Sequence, residues 1–246
     1  MIQVLVCFHA ELNDFLPRAK RNAAISHTVA ERTSAKDVIE SLGVPHTEVA
    51  FLFANGQAID FRYLIHDSDS IDVFSETQRH ALPFSTCMEL RTPPSRRFVL
   101  DTHLGRLAGY LRMLGFNTLY SNIYQDDELA TISSTENRIL LTRDIGLLKR
   151  SIVIHGYFVR SVHPQEQVTE VLQRFSFFEC IDLFSRCMKC NGILYSVSKE
   201  EVFHQIEPLT RSFYEEFRQC QQCGKIYWQG SHYENMQRLI ARIQSQ

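Results

Sequence analysis

The chain has 246 residues, 44% hydrophobic and 22% charged, with a formal net charge of −2. That length admits two domains and a small third module, and that balance is the balance of a soluble globular protein. A near-neutral total excludes the strongly basic class of nucleic-acid binders, and no run approaches the roughly 18 apolar residues of a membrane span. The charge is uneven: residues 1–85 hold 7 Lys and Arg against 11 Asp and Glu, and the remainder 19 against 17, so an anionic partner should prefer the second part. The start, 1–9, is apolar but short and lacks a basic lead-in, which reads as a strand rather than a signal peptide. Seven cysteines, four of them in two CxxC pairs, suggest a reducing compartment, here the cytoplasm, and metal rather than disulfides.

Residues 1–76 read as one small α+β domain. Strands are predicted at 2–8 and 24–30, flanking a polar segment, 11–21, that contains Pro17. A helix over 34–42 is well punctuated, with Ser34 as N-cap, Asp37 in the first turn, Gly43 at the C-cap and Pro45 beyond. Asn55-Gly56 between apolar runs at 49–54 and 57–60 signals a hairpin, because this pair tolerates the positive φ of a type I′ turn. A last strand at 70–74 completes a β-grasp order. A carrier role would need a terminal Gly-Gly, and 74–80 supplies none, so an interaction or substrate-positioning domain is favoured. Residues 77–96, with Pro83, Pro93 and Pro94, read as a linker. Nearby Arg91, Arg96 and Arg97 either touch phosphate or are simply solvated.

Residues 97–179 alternate strands with helices, the pattern of βαβ units around a parallel sheet. Three apolar runs each deliver a carboxylate: Phe98-Val99-Leu100 runs into Asp101, Thr118-Leu119-Tyr120 leads to Asp126 and Asp127, and Ile139-Leu140-Leu141 is followed by Thr142, Arg143 and Asp144. A helix carries Leu104, Leu107, Leu111 and Leu114 on one face, and a shorter one is predicted at 127–136. A short helix at 146–150, a fourth strand at 152–159 and a helix at 164–175 follow, the last with Val168, Val171, Leu172 and Phe175 on its apolar face. Right-handed crossovers put the C-terminal ends of the strands on one edge, where open α/β sheets bind ligands. Asp101, Asp126 and Asp144 are thereby expected to converge. The bland alternative for each is a turn residue or helix N-cap. Clustered carboxylates repel, and a hard cation, Mg²⁺ or Mn²⁺, relieves that repulsion and can activate water against a phosphodiester.

Residues 180–246 change character. Cys187-x-x-Cys190 and Cys220-x-x-Cys223 offer two thiolates from each of two tight turns, which is the donor set of a closed structural zinc site. Cys7, Cys87 and Cys180 read as ordinary thiols. A helical stretch is predicted around 213–217, a strand through Tyr227 and Trp228, and a terminal helix over 233–244 capped by Ser231. The two aromatics are expected to shield the metal rather than to stack bases.

The motifs also carry a resemblance. The stretches 10–17, 36–46 and Asn55-Gly56 resemble the ubiquitin-like domain found in front of Mut-seven C-terminal RNase domains. Phe98-Val99-Leu100-Asp101-x-x-Leu104-Gly105-Arg106-Leu107-Ala108, Asp126-x-Glu128-Leu129 and Arg138-Ile139-Leu140-Leu141-Thr142-Arg143-Asp144 resemble that RNase family itself. Cys187-x-x-Cys190-Asn191-Gly192 and Cys220-x-x-Cys223-Gly224-Lys225 are similar to its zinc ribbon. The resemblance implies a PIN-like nuclease fold at 97–179, a zinc ribbon with a C-terminal helix at 180–246, metal-dependent RNA cleavage, and Asp101, Asp126 and Asp144 as acidic ligands. Dimers are common among PIN-like folds. The chain departs from the family pattern at Ile123, shortly before Asp126, where an acid is frequent; a fourth acid of the usual pattern is not assigned downstream of Asp144, and Asp127 and Glu128 are the nearby substitutes.

Arg106 lies one turn into the first helix and either holds the scissile phosphate or pairs with Asp101 or Asp144. Arg143 is a surface residue or a contact to backbone phosphate, His103 a proton carrier or a satisfied polar group, and His232 an RNA contact or a structural group. The leading expectation is a ribonuclease. Beside it stand a non-catalytic RNA-binding module and a protein-interaction adaptor working through the β-grasp domain.

Overall fold

The computed structural model describes residues 1–82 and 95–244; Pro83, Cys87, Arg91, Pro93 and Pro94 lie outside the described residues. In chain order the strands are β1 (Ile2–Phe8), β2 (Ile25–Val29), β3 (Phe51–Ala54), β4 (Gln57–Ile59), β5 (Ser70–Phe74), β6 (Arg97–Leu100), β7 (Asn117–Tyr120), β8 (Ile139–Thr142), β9 (Gly156–Phe158), β10 (Leu194–Val197), β11 (Phe217–Cys220) and β12 (Ile226–Trp228). The α-helices are α1 (Ala35–Ser41), α2 (Gly105–Met113), α3 (Asp126–Thr135), α4 (Ile145–Leu148), α5 (Pro164–Phe175), α6 (Lys199–Val202), α7 (Pro208–Phe213) and α8 (Ser231–Gln244). The chain divides into two compact units, one comprising 1–95 with 125–158 and the other 96–124 with 159–246.

In the first unit, β1 to β5 form a mixed sheet in the order β2-β1-β5-β3-β4, with β1 parallel to β5 and the other pairs antiparallel. Alternation along β1 turns Val4, Val6 and Phe8 inward, where they meet Val38 and Ile39 of α1. The Ser34 hydroxyl accepts from the Asp37 N–H at 3.2 Å and starts α1. Gly43, at φ +112°, ends it. Asn55 and Gly56 both take positive φ, as the type I′ hairpin requires. The polar segment 11–21 forms two short 3₁₀ turns, Ala10–Phe15 and Arg18–Lys20. Buried Asn13 holds them, donating to the Phe8 and Ala10 carbonyls and accepting from the Asn22 N–H.

The rest of this unit comprises α3, β8, α4 and β9, with β8 and β9 paired in parallel. Polar groups fasten it to the β-grasp lobe through the 3₁₀ turn His46–Glu48. Glu48, only 2% exposed, accepts from the Phe158 N–H at 2.7 Å. His46 places Nε2 2.9 Å from the Val153 carbonyl and Nδ1 2.6 Å from the Glu40 carboxylate. Lys149 donates to the Glu40 carbonyl at 2.7 Å, and its burial pulls the ammonium down from its ordinary value while Glu40 opposes that. The strand expected over 152–159 is shorter than its apolar run. The strand is Gly156–Phe158, joined to β8 from the His155 carbonyl onward, because Val153 turns its carbonyl to His46, leaving Ile152 and Ile154 each 48% exposed.

In the second unit β6 and β7 pair in parallel, so the central strands β6 to β9 are parallel in both units. Helix α2 buries Leu107, Leu111 and Met113, and Phe98 of β6 meets Phe116, Phe175 and Phe177 at 5.6 to 6.3 Å. Val168, Val171 and Leu172 face inward from α5, as their spacing predicts. The ribbon is an antiparallel sheet, β10-β11-β12. Two expectations are corrected here. Helix α7 starts at Pro208 and ends at Phe213, and Phe217 opens β11, since its side chain is needed against Val202 and Ile206 in the ribbon core. Helix α8 begins at Ser231 itself, so Ser231 is a helical residue and not the preceding cap. The predicted class, α/β with an N-terminal β-grasp lobe, a parallel-sheet domain and a cysteine ribbon, is the one observed. No helix among the described residues is long and apolar enough to cross a membrane.

Candidate functional site

The ribbon gathers Cys187, Cys190, Cys220 and Cys223 so that their Sγ atoms all lie within 4.8 Å of one another. The separations are 3.6 Å for Cys187–Cys223 and 3.4 Å for Cys190–Cys220. A tetrahedral zinc site with Zn–S bonds of about 2.3 Å has S···S edges of about 3.8 Å, so the four thiols fit such an ion and can hold a metal such as zinc. Each CxxC knuckle closes on backbone hydrogen bonds, Asn191 N–H to the Cys187 carbonyl at 2.8 Å and Gly224 N–H to the Cys220 carbonyl at 3.0 Å. Gly192 must be glycine because a Cβ there would come within 2.9 Å of the Cys220 sulfur. Burial alone pushes the Cys187 thiol up, but hydrogen bonds from the Tyr227 hydroxyl and the Cys190 and Lys189 backbone bring it down to about 6. Burial and the neighbouring thiols push Cys190 up to about 12. Tyr227 is 8% exposed with its hydroxyl 3.1 Å from the Cys187 sulfur, and Trp228 packs against the small ribbon core. Both aromatics therefore shield and fill, as expected. Among the described residues the cysteines are the one group of three or more potential ligands drawn this close.

Arg112, a motif position to which the sequence assigned no role, ties the knuckle to α2. It is 6% exposed and donates to the carbonyls of Thr118, Met188 and Lys189 at 3.0 to 3.1 Å. Burial pulls its guanidinium down, and the Cys187 and Cys190 sulfurs, where ionised, oppose that. Asn191 adds a second tie, accepting from the Thr118 N–H and donating to the Asn117 amide oxygen. Gly115, at φ +93°, lets Asp182 approach so closely that a Cβ would lie 2.4 Å from its carbonyl oxygen. The one signal for Arg112 was its place beside Leu111 at the buried face of a helix. Arg112→Ala leaves three carbonyls without their buried donor and is expected to cost about 2–4 kcal/mol in denaturant melts. Faster amide exchange across the knuckle at 187–192 would accompany it.

Asp101 follows β6 directly and caps a 3₁₀ turn, Thr102–Leu104, with Oδ1 accepting from the Thr102 N–H at 2.5 Å. It belongs to the second unit; Asp126 and Asp144 belong to the first. Asp144 follows β8 and caps α4, its Oδ1 accepting from the Gly146 and Leu147 N–H groups at 2.6 and 3.2 Å. Asp126 is the exposed first residue of α3, and the cap position before it belongs to Gln125. The sequence did not single out Arg150, which forms an ion pair with Asp127. That hydrogen bond pushes the Arg150 guanidinium up, and Asp126 and Asp144 add to the effect. Asp126, Asp127 and Asp144 thus share one electrostatic neighbourhood in the first unit.

Arg106 is exposed on α2 and makes no ion pair among the described residues. Arg143 is exposed beside Asp144, and His103 is exposed in the 3₁₀ turn after Asp101. His232 falls within α8, and its side chain lies outside the described residues.

Comparison with known families gives two matches. The Mut7-C ubiquitin model matches residues 1–81 and the Mut7-C RNAse domain model matches residues 96–240. No match was found among curated proteins or among solved structures. The second match runs without a break from β6 through the cysteine ribbon into α8 and takes in more than half of the chain. The chain belongs to the Mut7-C RNAse domain family and carries that family's ubiquitin-like domain in front.

Proposed function

We propose that the chain is a ribonuclease that hydrolyses RNA phosphodiester bonds at a site built from Asp101, Asp126 and Asp144. The observation that carries this reading is the family match together with the position of the acids. Asp101 and Asp144 each follow a parallel strand and open a helical turn, which is where α/β sheets bind ligands. The three aspartates would hold Mg²⁺ or Mn²⁺ through oxygen donors. When bound, that ion supplies charge for an attacking water and for the leaving oxygen. Arg106, exposed and without an acidic partner among the described residues, would orient a phosphate through its planar fork. Arg143 and His232 would be further contacts to the RNA. The four ribbon cysteines would hold zinc as a structural ion, since a complete set of four thiolates leaves no open position on it. The ubiquitin-like domain, taken as 1–76, would position substrate or a protein partner, with 77–96 as linker, 97–179 as nuclease and 180–246 as ribbon and C-terminal helix.

A second reading has its own support: the caps made by Asp101 and Asp144 and the Asp127–Arg150 pair give the acids structural work. That favours an RNA-binding module that no longer cuts. Purified protein dialysed free of added divalent ions separates the two. Cleavage of a single-stranded RNA is expected to appear on titrating Mn²⁺ or Mg²⁺, with zinc content constant by metal analysis. RNA held intact at saturating Mn²⁺ would remove the nuclease reading and leave the binding module.

A further inference from the structure

The fastening of the β-grasp lobe to 125–158 leaves a cavity of about 540 Å³ within the first unit. Its walls come from both parts: Ser34, Lys36, Phe61 and Arg62 from the lobe, and Ser151, Val153 and Ile154 from the segment before β9. That volume suits a ligand of nucleotide size. Its charge is one-sided. Lys36 and Arg62 are the charged side chains of the lining apart from His46, and no carboxylate lines it. Among the described residues neither Lys36 nor Arg62 forms an ion pair. This stands out in a region where acids outnumber bases, 11 to 7 over residues 1–85. His46 is a wall and not a donor to the cavity, because both its nitrogens are engaged by Glu40 and Val153.

The remaining lining is apolar and partly planar. Phe61 is half-buried and meets the His46 ring edge-on at 5.9 Å, which fixes its plane. Ile154 is 48% exposed, although it belongs to an apolar run that the strand pattern would have buried. An aromatic face and aliphatic side chains under two cations with no acidic partner match a planar base joined to a phosphate. The Ser151 hydroxyl adds a hydrogen-bonding group for a ribose, whereas the Ser34 hydroxyl is held by Asp37, donating to its carboxylate at 2.6 Å and accepting from its N–H. We infer that this cavity takes one nucleotide unit of an RNA strand, so that the ubiquitin-like lobe supplies a substrate-holding subsite. The inference rests on the ribonuclease reading for the identity of the strand, and the cavity sits in the unit that also carries Asp126 and Asp144.

The test uses the full chain carrying Asp144→Asn, so that RNA persists while binding is read by fluorescence anisotropy with a short single-stranded RNA. Adding Lys36→Gln with Arg62→Gln is expected to weaken binding about tenfold and to flatten the salt dependence by about 1.4 in log–log slope, as two lost phosphate contacts predict. Lys20→Gln with Arg32→Gln, elsewhere on the lobe, serves as the charge control. In a parallel titration, adenosine monophosphate should shift the amides of Phe61, Arg62 and 151–154, and inorganic phosphate should do so far more weakly. Equal weakening by the control pair, or unchanged RNA affinity in the Lys36 and Arg62 variant, overturns the inference. So does a response to phosphate equal to that of the nucleotide, which means an anion site only. A response to the free nucleotide with RNA affinity untouched overturns the strand version, as does loss of a protein partner alone. Wild-type protein that binds RNA through this cavity but never cuts it would defeat the ribonuclease reading and leave the subsite standing.

Discussion

Replacing Cys187 with serine, or removing the bound metal with a strong chelator, is expected to unfold the ribbon and leave the β-grasp lobe folded. The reason is the size of the ribbon's own core. One buried cluster is Val202, Ile206 and Phe217, with Val197, Tyr214, Ile226 and Trp228 partly covered, and beside the cysteines Phe184, Leu194 and Tyr227 add a few more buried side chains. So small a core does not stabilise a fold alone, whereas a four-thiolate zinc site contributes on the order of 10 kcal/mol of apparent binding energy. The knuckle also presents the Met188 and Lys189 carbonyls to Arg112, so its loss reaches α2 and β7 through that guanidinium. Protons compete for the same sulfurs. Cys187, brought down to about 6, is a thiolate at neutral pH, but Cys190, pushed up to about 12, keeps its proton until a metal displaces it. Metal uptake should therefore release protons and weaken as pH falls. Hydrogen exchange is the measurement: amides across 187–228 should lose protection once metal analysis reads zero, while β1 and β5 keep theirs. Protection unchanged after complete metal removal would show that the ribbon does not need the ion.

The two cysteine knuckles were legible because their signal is local. A CxxC pair specifies a turn and two donors within four residues, and a second pair completes the set wherever the chain brings it. The β-grasp lobe was legible for a related reason: Ser34, Gly43 and Asn55-Gly56 each mark a boundary by their own backbone chemistry. What stayed hidden depends on distant partners. Arg112 looks like a misplaced charge in an apolar helix face until the knuckle carbonyls arrive from 76 and 77 residues away. Glu48 and His46 look like surface residues of a loop, and are buried because 153–158 supplies their hydrogen-bond partners. The apolar run 152–159 misled for the same cause. Hydrophobicity announced burial, but the segment turns its Val153 carbonyl to His46 of the β-grasp lobe and joins the sheet only from the His155 carbonyl onward. The acids are the mixed case. Position identified Asp101 and Asp144 as strand-end residues, and the caps they make were the other reading that the same position allowed.

Those caps make Asp144 the place where structure and catalysis can be separated. Both cap bonds of Asp144 go to Oδ1, from the N–H groups of Gly146 and Leu147, and among the described residues Oδ2 accepts no hydrogen bond. The residue is exposed, so Oδ2 is available to a cation. Asparagine keeps an amide oxygen for the cap and ranks with aspartate as an N-cap residue, but puts an NH₂ donor where the second carboxylate oxygen stood. Asp144→Asn is therefore expected to stay within about 0.5 kcal/mol of the parent in denaturant melts. Its cleavage rate on single-stranded RNA should fall about a thousandfold, the scale of losing several kcal/mol of metal-borne charge stabilisation. Asp144→Ala removes the cap as well and should lose about 1 kcal/mol of stability beyond the same loss of rate. A purely structural aspartate predicts the opposite ranking, with full activity in Asp144→Asn and damage only in Asp144→Ala. A folded Asp144→Asn protein that cuts RNA at the parental rate would take Asp144 out of the catalytic site and reduce it to the cap of α4.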